Sequence, residues 1–97
     1  MALNYLIFDA ADDGEGTGSW EAVASVRSAD LPAVMAEVET VLQRAAREAP
    51  GPRGPLDEGG AWDADTQVRH DGDWTELTLT LTGPWDWGEA LLADLGA

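Results

Sequence analysis

The sequence predicts a two-layer α+β domain: a four-stranded antiparallel sheet with two helices on one face, in the order ββαββα. Three observations lead there. Residues 62–81 contain two stretches of apolar alternation around an Asp-Gly turn signal, and residues 31–48 carry apolar side chains at helical spacing. The third is size, since 97 residues make one domain, 1–97, and not two.

The first strand is expected over Leu3 to Asp9, rich in β-formers. Leu3, Tyr5 and Ile7 would face one way and Leu6 and Phe8 the other, so this strand is apolar on both sides. One of the two sets would then lie on the open face of the sheet. Ala10 to Gly18 is glycine-rich and acidic, longer than a tight hairpin turn, and reads as a mobile loop. Ser19 to Arg27 forms the second strand, with Trp20, Ala22, Ala24 and Val26 on one face.

Leu31 to Glu48 is the first helix. Leu31, Val34, Val38, Val41, Leu42 and Ala45 fall on one stripe, while Glu37, Gln43, Arg44, Arg47 and Glu48 fall elsewhere. Asp30 is the expected N-cap, Pro32 sits in the first turn where its missing N–H costs little, and Pro50-Gly51-Pro52 ends the helix. Gly51 to Gly60 is a connecting loop with Leu56 as its only large apolar residue.

Trp62, Ala64, Thr66 and Val68 alternate with Asp63, Asp65, Gln67 and Arg69; Leu77, Leu79 and Leu81 alternate with Glu76, Thr78 and Thr80. Asp71-Gly72 between them reads as a type I′ turn. That turn places His70 opposite Asp73, Arg69 opposite Trp74, Gln67 opposite Glu76, Thr66 opposite Leu77, Ala64 opposite Leu79 and Trp62 opposite Leu81. Apolar then meets apolar, and Trp74 is left on the outer face. The second helix is expected from Pro84 to Leu95, with Trp87, Leu91 and Leu95 in line, Leu92 beside them, and Gly96 as the stop.

Charge excludes more than it selects. Nineteen acidic residues against five basic ones give a formal charge of -14, with no Lys and with Arg27, Arg44, Arg47, Arg53 and Arg69 scattered. Binding a phosphate backbone needs clustered cations, so direct binding of nucleic acid or an anionic membrane is not expected. Crowded like charges also predict that stability rises with added NaCl. Without cysteine there are no disulfides, thiolate metal sites or thiol nucleophiles. Met1 to Phe8 lacks the cationic start and long apolar centre of a secretory signal, and no stretch approaches a membrane span. A cytoplasmic protein is the expectation, and Arg in place of all Lys, with abundant Ala and Gly, fits a high-GC bacterial genome.

Candidate sites are few. The Asp9 to Glu15 loop invites a calcium-like reading, because hard cations gather carboxylates and carbonyls on a turning backbone. The EF-hand spacing fails there: with Gly14 as the turn glycine, Ala11 and Trp20 fall where oxygen ligands belong. A solvated acidic loop is the simpler reading. His70, beside Asp71 and Asp73, could join an acid-base set, but a residue flanking a tight turn is more often exposed. Asp63 and Asp65 share a strand face, as solvated acids commonly do, and an enzyme built on such pairs is not favoured.

Trp20, Trp62 and Trp87 are expected in the core, with Trp85 unassigned. Trp74 differs, standing on the outer face opposite Arg69, either as an interface anchor or as a surface indole covered by the guanidinium. The resulting expectation is a small acidic, non-enzymatic interaction module without cofactor. It would dock a partner protein, or a second copy of itself, through the open sheet face at Trp74, Arg69, Val23, Tyr5 and Glu76.

Overall fold

In the computed structural model, which describes residues 3–96, four strands form one antiparallel sheet: β1 (Phe8–Asp12), β2 (Thr17–Arg27), β3 (Asp63–Asp71) and β4 (Trp74–Pro84). Their order across the sheet is β1-β2-β4-β3. Two helices, α1 (Leu31–Glu48) and α2 (Trp85–Asp94), complete the expected ββαββα order. Met1, Ala2 and Ala97 lie outside the described residues. No helix among them is long and apolar enough to cross a membrane.

Alternation decides which side of the sheet meets the helices. Trp20, Ala22 and Ala24 of β2 and Leu77, Leu79 and Leu81 of β4 are buried, and they join Val34, Val38, Val41 and Ala45 of α1 and Leu91 and Leu92 of α2 in one core. Two of the three buried tryptophans donate their indole N–H within the fold: Trp20 Nε1 to Glu89 Oε2 at 3.1 Å and Trp87 Nε1 to the Ala45 carbonyl at 3.2 Å. Gly88 faces the Trp20 ring so closely that a Cβ there would overlap it. The absence of a side chain at that position lets α2 lie against the sheet.

α1 spans the expected residues. Its N-cap, Asp30, makes no side-chain capping bond, because Ser28–Asp30 already turns as a short 3-10 helix that leads into α1. Arg44 of α1 pairs with Asp94 at the end of α2 and reaches Glu48 at 3.9 Å, tying the helices together.

The first strand differs from the expectation. Leu3 to Ile7 is not a strand, and pairing begins only at Phe8. The Glu37 carboxylate on α1 accepts the backbone N–H groups of Asn4 (2.8 Å), Tyr5 (3.0 Å) and Leu6 (3.2 Å). These amides are satisfied by a side chain instead of a neighbouring strand. Leu6 is buried, Leu3, Tyr5 and Phe8 pack against the core, and Ile7 is 80% exposed.

Nor is Ala10 to Gly18 a long mobile loop. Strands β1 and β2 pair up to Asp12↔Gly18, leaving a short connection whose carboxylates organise it. Asp12 Oδ1 accepts the Gly14 N–H at 2.8 Å, and Asp13 Oδ1 accepts those of Glu15 and Thr17 at 2.7 and 3.1 Å. Gly14 and Gly16 supply the positive φ angles this bend requires.

The β3–β4 turn lies one residue later than expected, at Gly72-Asp73, so that Asp71 pairs with Trp74, Arg69 with Glu76, Thr66 with Leu79 and Ala64 with Leu81. Only Gly72 has positive φ (59°), the pattern of a turn with glycine at its first central position, whereas type I′ would require Asp71 to adopt it too. Each partner is displaced by two residues. An even displacement preserves the faces, so apolar still meets apolar. The displacement also brings Trp62 beside Gly83, where the missing side chain makes room for the Trp87 ring.

Candidate functional site

The side of the sheet away from the helices is uncovered. Because Trp20, Ala22 and Ala24 point inward, Glu21, Val23, Ser25 and Arg27 point outward. Trp74, Glu76, Thr78, Thr80 and Thr82 do the same on β4. The register then defines rows across this face. Asp9, Glu21, Thr80 and Asp65 form one row; Ser25, Glu76 and Arg69 form another; Arg27, Trp74 and Asp71 form the last before the turn.

Trp74 is 48% exposed on this face, as its alternation requires. Its cation partner is Arg27, whose guanidinium lies 5.1 Å from the ring centre, and not Arg69. The later turn accounts for the exchange: Arg69 moves level with Glu76 and forms an ion pair with it at 3.7 Å, while the β2–β4 register sets Arg27 directly across from Trp74. Val23, 49% exposed, lies on the same face but is separated from Trp74 by the Ser25–Glu76 row, so the two make no continuous apolar patch.

Tyr5 is not on this face. It precedes β1, with its N–H on Glu37 and its side chain packed against the core. Of the expected site residues, the structure brings Trp74, Arg69, Glu76 and Val23 onto one face and leaves Tyr5 elsewhere. Arg27 is the residue that sequence reasoning missed. Its alternation with Val23 and Ser25 carried the signal, but the partner assignment depended on the turn.

This face is predominantly acidic. Asp9, Glu21, Asp63, Asp65, Asp71 and Glu76 stand against Arg27 and Arg69, with Arg53 reaching the Asp63 end at 3.5 Å. The threonines supply hydroxyls between the carboxylates.

His70 lies on the opposite side of the sheet, beyond the helices' cover. Its Nδ1 is 3.0 Å from Thr75 Oγ1, which is 2.7 Å from Ser28 Oγ. The Thr75 hydroxyl is buried, so this chain of contacts satisfies a polar group in the core margin. In the Asp9 to Glu15 segment, Asp12 and Asp13 spend carboxylate oxygens on the turn amides. No group of three or more His, Asp or Glu side chains converges to hold a metal ion among the described residues.

Comparison with known protein families, with curated proteins and with solved structures gives no match.

Proposed function

We propose that the protein is a non-enzymatic interaction module whose open sheet face docks a basic protein partner, with Trp74 as the apolar anchor. The observation that carries this reading is the half-exposed Trp74 ring, set at the end of a face on which six carboxylates outnumber two arginines. An exposed indole provides a large contact area at low conformational cost, and surrounding carboxylates steer a cationic surface toward it. A second copy of the chain fits this face poorly, because two such arrays would repel one another.

The test uses a short peptide of arginine and leucine followed by amide and indole NMR. Saturable shifts confined to Trp74 and the outward residues of β2 and β4, weakened in Trp74→Ala, support the reading. Shifts spread evenly over the acidic surface and indifferent to Trp74→Ala overturn it. So does dimerisation in sedimentation through the same face.

A further inference from the structure

Asp-Gly occurs twice in the chain, at Asp13-Gly14 and at Asp71-Gly72. In this step the aspartyl carboxyl can approach the next peptide nitrogen closely, because glycine has no Cβ to stand in the way. We infer that the fold makes Asp71 a site of covalent self-modification, conversion to isoaspartate, while it protects Asp13 from the same reaction. The inference is independent of the docking reading, since the product is identified by its covalent structure and needs no partner.

The reaction needs only water. The Gly72 nitrogen attacks Cγ of the Asp71 carboxyl in its protonated form, and one carboxyl oxygen leaves as water, carrying its own proton and that of the amide. A five-membered succinimide ring remains. Water then opens the ring at one of its two carbonyls. Attack at the main-chain carbonyl breaks its bond to the glycine nitrogen, so that the chain runs through Cβ and Cγ and is one methylene longer; attack at the other restores aspartate. The water released in the first step is taken up in the second, and nothing is oxidised or reduced. Asp71 pairs with Trp74, so the added methylene enters the chain directly across from that residue.

Accessibility does not separate the two sites, since both aspartates are exposed and both glycines have open space where a Cβ would stand. Hydrogen bonding does. To react, Asp13 must give up the Glu15 and Thr17 N–H groups that its Oδ1 accepts at 2.7 and 3.1 Å, and the Gly14 N–H must leave Asp12 Oδ1 at 2.8 Å. Among the described residues, no ion pair or side-chain hydrogen bond holds the Asp71 carboxylate: Arg69 is paired with Glu76 at 3.7 Å, Arg27 lies over the Trp74 ring, and His70 is bonded to Thr75. Asp71 ends β3 at the Gly72-Asp73 turn, where the N–H of the first turn residue has no ladder partner. Opening only the Asp71↔Trp74 pair at the tip of the hairpin therefore frees the carboxyl to turn onto the Gly72 nitrogen.

The test keeps the intact protein warm in weakly acidic buffer, samples it over several weeks, cleaves after arginine and reads the peptides by electron-transfer fragmentation, which marks an isoaspartyl residue by cleavage between its Cα and Cβ. A parallel sample is kept unfolded in guanidinium chloride. Isoaspartate is expected to form at Asp71 about ten-fold faster than at Asp13 in the folded protein, the two rates converging in the unfolded one. Equal rates in the folded protein, faster conversion at Asp13, or no conversion at Asp71 while the unfolded sample reacts at both sites overturn the inference. So does a preference of the same size that persists in guanidinium chloride, because it would belong to the local sequence and not to the fold.

Discussion

The Arg27 guanidinium lies over the Trp74 ring at 5.1 Å, joining the last outward residue of β2 to the first of β4. Both side chains are exposed, so the contact is worth at most about 1 kcal/mol. Its main effect is to shield one side of an indole that would otherwise be open to water. Arg27→Ala is therefore expected to leave the fold and the urea midpoint nearly unchanged while moving the Trp74 indole resonance and raising its accessibility to a soluble quencher. An Arg27→Ala protein whose Trp74 resonance stays in place would show that the stacking does not exist in solution.

Gly88 of α2 is expected to reject alanine, although alanine is the better helix former by about 1 kcal/mol. A Cβ there would collide with the Trp20 ring, which is fully buried and anchored to Glu89. Overpacking of this kind costs about 1–3 kcal/mol, so the net sign of Gly88→Ala is destabilising or, at the mild end, close to neutral. Urea unfolding measures it, and a clear gain in stability would mean that α2 does not sit against Trp20.

Glu37 holds the residues before β1 against α1 by accepting hydrogen bonds from three backbone N–H groups. Glu37→Gln keeps the shape but removes the charge, and a glutamine presents one acceptor oxygen where the carboxylate had two. A loss of about 1–2 kcal/mol is expected for this half-buried group. Hydrogen exchange at Asn4, Tyr5 and Leu6 should accelerate while the amides of β2 and β4 remain slow. Uniform acceleration throughout the sheet would contradict a local role.

Asp94 carries the one pH dependence that the geometry defines. The Glu48 side chain, and then the Arg44 guanidinium, hold its carboxyl below the ordinary carboxylate value of 3.8. A carboxyl with a lowered folded pKa adds stability above its unfolded pKa and loses it as pH falls through the folded value. Arg44→Gln should raise the Asp94 midpoint, read from its carboxyl carbon resonance. An unchanged midpoint would assign the whole effect to Glu48.

The legible parts of this fold were those encoded by nearby residues. The α1 stripe and its proline stops specify Leu31–Glu48, and alternation alone puts Trp74 outside and Trp20 inside. What sequence reasoning missed depended on distant partners. The apolar run Leu3 to Phe8 has strand composition, yet its amides go to Glu37, more than thirty positions away. The partner of Trp74 was misassigned because Asp71-Gly72 and Gly72-Asp73 both contain a turn glycine, and the choice between them moves Arg69 from Trp74 to Glu76.

β3 has a neighbour on one side only, and Arg53 covers just its beginning through the Ala64 carbonyl. From Asp65 to Asp71 the outer rim offers unpaired peptide groups of the kind on which strands of other molecules can nucleate, the usual first step toward fibrils. Asp65, Arg69, His70 and Asp71 line that rim, all of them exposed. A foreign strand laid there would have to dehydrate this charged fringe, a cost that opposes edge-to-edge pairing. Replacing its acids, as in Asp65→Asn together with Asp71→Asn, removes that cost and with it the fold's barrier to edge-to-edge assembly.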